Sequence, residues 1–344
     1  MRGWQVATSA VVLSLLIWLV IFTLTFREQT PQAGAFYYVW YNPADSASWV
    51  YPKIIDKPVL GYYNSCDPAV IVQHFAWLSD LHIDFIIVSW WGIYNQSDWH
   101  SFIDTATAEL FETARVKETN VKIAIMVEPF NESGCYNFTE IYEHVYANFF
   151  QKFPSEYYKV DGKPLICFFN DKNMTSPTVF QKKIRFTVKI VGNDATAEWQ
   201  YDSVTKKNNP PTDMPFPRDR QISIGPRFDD FYVRPNNETV DAKLEYLYAQ
   251  QWENALNLTR EGELDFIIIT SWNEYPERTA IGPHYDATAS NSDPYYLFNK
   301  TKNYIMQLHA LPKLKVKIHT PFTILHREEL GAELCLLRLR AIHS

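Results

Sequence analysis

The sequence predicts an α/β fold: a (β/α)8 TIM barrel with an N-terminal transmembrane anchor. Three observations lead there. Residues 3–26 form 24 consecutive uncharged positions, including the run Val11-Val12-Leu13-Ser14-Leu15-Leu16-Ile17-Trp18-Leu19. Beyond a short linker, eight apolar or β-branched runs end in polar or aromatic residues, spread over about 280 residues. Helical patterns separate several of these runs, and continuous apolar strands alternating with helices imply a parallel sheet covered on both faces.

At 1.5 Å rise per residue the N-terminal stretch is long enough to span a bilayer, and it exceeds the 7–15 residues roughly typical of a cleavable signal peptide. Ala33-Gly34-Ala35 resembles a cleavage site, but cutting there would start the mature chain inside its first strand. An uncleaved anchor over 1–27 is expected, followed by a linker over 28–33. Arg2 and the amino terminus on one side, against Arg27 offset by Glu28 on the other, place the N-terminus in the cytoplasm. The barrel is then extracellular or lumenal. Seven Asn-X-Ser/Thr sequons, at Asn95, Asn131, Asn137, Asn173, Asn237, Asn257 and Asn299, agree with an exported, glycosylated body. The four cysteines (Cys66, Cys135, Cys167, Cys335) allow three full pairings, and the sequence does not choose among them.

The expected strands are 35–40, 85–90, 121–128, 164–169, 186–191, 199–202, 221–224 and 266–272. In 68–81, Val70, Ile71, Phe75, Leu78 and Leu81 recur at helical spacing; 99–116, 140–153, 240–258 and 294–311 follow the same pattern. The barrel is assigned to 34–311. The tail 312–344 carries six Lys/Arg against three Glu, with a short amphipathic helix expected over 329–342.

Composition narrows the function. The 344 residues carry a net charge of −7, which excludes nucleic acid as the main partner, because phosphate binding needs a basic face. No CxxC, HExxH or HxxxH occurs, and no P-loop, GxGxxG or Gly-x-Ser-x-Gly elbow, so neither metal nor cofactor is expected. The excess is aromatic, 22 Phe, 21 Tyr and 11 Trp, which suits either a large core or a cleft whose flat rings take sugar faces.

Catalytic groups in such barrels sit at the C-terminal strand ends. Those ends offer Tyr37, Tyr38, Trp40 and Tyr41, then Ser89, Trp90 and Trp91, then Glu128, and last Trp272, Asn273, Glu274 and Glu277. Carboxylates with aromatics and no nucleophilic triad suit glycoside hydrolysis, which needs one carboxyl to protonate the leaving oxygen and another as base or nucleophile. Glu274 and Glu277 are the expected catalytic pair. Glu128, Tyr38, Tyr41, Trp90, Trp91, Asn273 and Trp272 are the expected substrate-binding residues. Pro276 blocks a regular helix between the two glutamates, so a tight loop is expected. Asp229-Asp230 beside Arg227 could line the cleft or cap a loop.

From about Ala35 to Leu311 these residues resemble glycoside hydrolase family 99, the endo-α-mannosidase family, and its family-99-like relatives. The elements are Phe-Tyr-Tyr-Val-Trp-Tyr (36–41) with Asn42-Pro43, Leu-Gly-Tyr-Tyr-Asn-Ser (60–65) with Asp67-Pro68, Ser89-Trp90-Trp91, Glu128-Pro129-Phe130, Gly225-Pro226, Arg234-Pro235-Asn236 and Ile-Thr-Ser-Trp-Asn-Glu-Tyr-Pro-Glu (269–277). The resemblance implies retaining attack on an α-mannoside within a glycan. Glu274 then deprotonates the sugar's own 2-hydroxyl, giving a 1,2-anhydro intermediate, and Glu277 is the acid/base. Glu128 becomes a third carboxylate of the −1 site, with Tyr38 near it. The chain departs from the family pattern at five positions. Pro276 stands for a His, Arg278 for a Gly, Met126 for a His, Gly282 for a Glu and Phe228 for a Tyr. These departures also accommodate a second outcome, a catalytically silent barrel that binds glycans.

Overall fold

The strands form where the apolar runs predict them. A computed structural model describes residues 26–28, 30–45, 49, 54–93, 98–129, 137–169, 186–192, 199–200, 219–233, 245–288, 293–311 and 315–317. Eight strands lie in one sheet: β1 (Gln32–Tyr38), β2 (Phe85–Trp90), β3 (Lys122–Val127), β4 (Lys163–Phe169), β5 (Thr187–Gly192), β6 (Trp199–Gln200), β7 (Gln221–Ile224) and β8 (Phe266–Ile269). Their spatial order is β7-β8-β1-β2-β3-β4-β5-β6, every neighbouring pair parallel. The first and eighth strands are thus neighbours, and the two edge strands, β6 and β7, come back into contact without a ladder between them among the described residues. The sheet is curled towards a barrel. A short strand, Lys159–Val160, adds antiparallel to β4.

Helices cross between strands, as parallel pairing requires. They are α1 (Pro68–Asp80), α2 (Asp98–Lys117), α3 (Phe138–Val145), α4 (Glu245–Arg260) and α5 (Tyr296–Ala310). Pro68 opens α1, where its missing N–H costs nothing, and the Asp67 carboxylate caps the Ala69 N–H at 2.8 Å. Asn137 caps α3 through Glu140 N–H at 3.3 Å, and α3 continues into one π-turn, Tyr146–Phe150. Each expected helix in this unit is present among the described residues; positions 240–244 of the one expected over 240–258 lie outside them.

Period-two alternation sorts the strand side chains into two layers. Phe36, Phe85, Ile87, Ala124, Leu165, Cys167, Trp199 and Ile268 pack within the curl. Tyr37, Ile86, Val88, Ile123, Ile125, Ile166, Ile222 and Ile267 face the helices. Gly34 is required at its place. A Cβ there would lie 2.6 Å from the Phe85 ring, which stacks on Tyr158 at a centroid distance of 3.9 Å.

Pro31–Leu311 is one unit; Met1–Thr30 and Pro312–Ser344 supply the other, in which the strand Phe26–Glu28 pairs antiparallel with Lys315–Lys317. Among the described residues no helix is long and apolar enough to cross a membrane. Residues 1–25, which hold nearly all of the expected anchor, and the expected helix over 329–342 lie outside the described residues.

Candidate active site

The segment after β8 folds back on itself and carries both glutamates. Ser271 N–H donates to Thr279 O at 3.0 Å, Ile281 N–H to Ser271 O at 3.0 Å and Gly282 N–H to Trp272 O at 2.9 Å. At its tip a tight turn over 275–278 is closed by Arg278 N–H on Tyr275 O at 3.1 Å. Pro276 takes the second position, where its fixed φ suits the turn. Glu274 is tied by its N–H to Ser271 Oγ at 2.9 Å, and the Glu277 carbonyl accepts from Asp229 N–H at 3.0 Å. Both glutamates are buried.

Glu128 follows β3 on the inner face. Its carboxyl accepts from Ser89 Oγ at 2.8 Å, and its N–H donates to Trp90 O at 2.9 Å. Burial pushes its pKa from 4.5 up to about 8, Ser89 opposes that rise, and the Glu277 charge adds to it. Glu128 and Glu277, 149 positions apart in sequence, thus act on each other electrostatically. At neutral pH Glu128 is a neutral acid that can donate a proton in a hydrogen bond.

Asn273 joins the glutamate loop to the end of β1. Tyr38 N–H donates to Asn273 Oδ1 at 2.8 Å, and Asn273 Nδ2 donates to Tyr38 O at 2.8 Å and to the Tyr63 hydroxyl at 3.0 Å. The Tyr41 hydroxyl donates to Asn273 O at 2.6 Å. Tyr41 also stacks on Trp49 at 4.2 Å, Tyr38 lies against Trp40 at 4.6 Å, and half-buried Trp91 lies 6.4 Å from Trp40 and donates to Ser89 Oγ at 3.1 Å.

Two expected sugar-binding residues stand apart from this group. Trp90 is fully buried on the helix side, donating to Asp104 Oδ1 at 2.9 Å and stacking on His144 at 5.5 Å. Trp272 packs against α1, with ring centroids 5.5 Å from His74 and 6.4 Å from Trp77.

Beside the turn lies a buried ionic cluster whose members come from distant parts of the chain. Arg278 pairs with Asp56 (3.1 Å), Asp229 (2.7 Å) and Asp286 (2.8 Å); Arg227 pairs with Asp56 (2.7 Å) and with Asp286. His284 Nδ1 lies 2.7 Å from Gly282 O, which can only accept. Its Nε2 is therefore the acceptor facing Arg227 at 3.3 Å, and burial holds the ring's pKa below its usual value. Burial works to raise Asp286, but Arg227, Thr288 N–H and Arg278 hold it well below the usual carboxylate range. Among the described residues no group of three or more His, Cys, Asp and Glu could hold a metal.

The departures from the family pattern have local reasons. Arg278 has φ of 56°, a left-handed conformation that glycine adopts freely and other residues adopt at a cost. The paired guanidinium is what this chain places there. A Cβ on Gly282 would lie 2.9 Å from Trp272 O, so no side chain fits. Met126 lies in the inner layer between Ser89 and Cys167 in register, and Phe228 is buried.

A curled parallel sheet with glutamates and aromatics at its C-terminal strand ends defines a glycosidase-like α/β protein. The chain is similar to glycosyl hydrolase family 99, whose model matches residues 40–205. That match includes Tyr41, Trp90, Trp91 and Glu128 and ends before Glu274. The GH99 endo-alpha-mannosidase from Bacteroides thetaiotaomicron, in complex with bis-tris-propane, has a TM-score of 0.61 at 19% identity, covering 81% of this chain and 97% of that one. A second structure of that enzyme gives 0.61 at 20% identity, covering 81% and 98%. A glycoside hydrolase-like protein gives 0.54 at 14% identity, covering 80% and 94%. At these identities the likeness is one of fold. No curated protein sequence matches the chain. Family match and fold together support a glycosidase with a carbohydrate substrate.

Proposed function

We propose that the chain is a retaining glycoside hydrolase of the endo-α-mannosidase type, acting on α-mannosidic linkages within a glycan. The observation that carries it is the turn over 275–278, which holds Glu274 and Glu277 buried at the C-terminal strand ends with Glu277 acting on Glu128. Glu274 takes the proton of the sugar's 2-hydroxyl while that oxygen attacks C1. Glu277 protonates the departing glycosidic oxygen. In the second step Glu277 takes a proton from water as the water oxygen opens the 1,2-anhydro ring at C1, and O2 recovers its proton from Glu274. Two inversions leave the anomeric configuration retained. Protonated Glu128, with Ser89 and the Tyr38 region, borders the sugar, and half-buried Trp91 completes the contact, while Tyr41 and Asn273, fully buried, serve substrate binding from behind by holding the glutamate loop.

The test is product analysis by mass spectrometry on α-mannosidic and α-glucosidic oligosaccharides, comparing the wild-type chain with Glu277→Gln. Loss of the acid/base is expected to lower turnover by about 10²–10⁴-fold while glycan binding persists. Undiminished turnover by the variant rejects the assignment. Saturable binding by both proteins without product would replace it with a glycan-binding barrel. We further propose that residues 1–27 anchor the chain in a membrane with the barrel extracellular or lumenal. Protease protection of the barrel in sealed vesicles is the expected result, and digestion from the cytoplasmic face would reject it.

A further inference from the structure

Asp56 follows β1, Arg227 and Asp229 follow β7, and Arg278 and Asp286 follow β8. All three connections leave the same end of the sheet. They converge on the residue next to Glu277. The Glu277 carbonyl accepts from Asp229 N–H (3.0 Å), the Asp229 carboxylate accepts from Arg278 Nη1 (2.7 Å), and the Arg278 carbonyl accepts from Arg227 Nε (2.7 Å). Asp56, fully buried, then bridges both guanidiniums. A shift of the 275–278 turn would therefore break the buried ion pairs of the residue next to Glu277, and a buried charge without its partner is heavily disfavoured. The left-handed backbone of Arg278 points the same way: a strained conformation persists only where its surroundings fix it.

We propose that Arg278, bound by Asp56, Asp229 and Asp286 and backed by Arg227, is a positioning residue that fixes Glu277 for proton transfer. The proposal rests on the glycosidase assignment for its kinetic consequence but not for its structural one. Two variants test the fork geometry. Arg278→Gly keeps the backbone free to adopt φ of 56° and removes the fork; Arg278→Lys keeps the charge and loses the geometry.

The experiment pairs steady-state kinetics with hydrogen–deuterium exchange of the full chain. In both variants kcat is expected to fall by about 10- to 100-fold with KM within about threefold, as for a misplaced catalytic group. The amides of residues 229, 278 and 279 are expected to exchange about tenfold faster, while β2 and β3 keep their protection. Unchanged exchange at those amides in a folded variant overturns the clamp, as does an unchanged kcat. If Arg278→Lys does not fold, Asp229→Asn, which removes one outer arm, reads the same three amides and decides in the same way. A wild type that releases no product from any glycan rejects the glycosidase assignment, and the exchange data then judge the clamp alone.

Discussion

The side chain of Asn273 and the backbone of Tyr38 exchange two hydrogen bonds, each 2.8 Å long. The carboxamide stands where another strand's backbone would stand, so β1 ends on a side chain and the glutamate loop is moored to it. Asn273→Leu strands both buried Tyr38 groups at once. It is expected to destabilise the fold by about 2–6 kcal/mol, two buried polar groups each costing 1–3. Denaturant unfolding measures this, and a loss below about 1 kcal/mol would show that the two groups find other partners.

Glu128 makes stability fall on the alkaline side. Its folded pKa of about 8 lies above the ordinary 4.5, so between those values the unfolded chain has released a proton that the folded chain keeps. Stability therefore declines as pH rises from about 4.5 and levels off above about 8. Glu128→Gln removes the titration while its amide oxygen can still accept from Ser89. Melting temperatures from pH 5 to 9 should fall less steeply for the variant; parallel curves would show that Glu128 is not held neutral.

His74 acts with the opposite sign. Its ring is buried beside the Tyr37 hydroxyl, 2.7 Å from Nδ1, and burial alone lowers its pKa from 6.5 to about 3. As pH drops below 6.5 the unfolded chain takes up a proton that the folded chain refuses, so stability present above 6.5 is lost on the way to about 3. His74→Gln should flatten that acid limb in thermal melts taken at successively lower pH. An unaltered slope would assign the acid loss to carboxylates alone.

The sheet was legible because its strands are apolar runs, and a run needs no partner to be recognised. Their ends were less so. β1 begins at Gln32, ahead of the expected residue 35, because Gly34 belongs there only on account of Phe85, a contact invisible in linear order. The glutamate loop was legible through Pro276, which forbids a helix and suits a turn. Trp90 and Trp272 were grouped with the site by strand-end position and by the motifs of the resemblance, yet Trp90 shares the helix-facing layer with Val88, as period two along β2 allows one to anticipate. The ionic cluster left only one trace, Arg227 beside Asp229-Asp230. Asp56 lies 171 positions from Arg227 and 222 from Arg278, and nothing local to it marks a buried acid.

The buried hydroxyl-bearing rings give the protein an optical property. Tyr37, Tyr41 and Tyr275 ionise only well above the ordinary tyrosine pKa, burial being the main cause, and Tyr63 among them is raised for the same reason. Phenolate absorbs more strongly and at longer wavelength than phenol. In an alkaline titration the exposed tyrosines colour first, and these four, with Tyr157, Tyr158 and Tyr248, whose burial raises them too, stay dark until the unit opens. Near-ultraviolet absorbance thus provides a label-free gauge of whether this unit is intact, without any substrate.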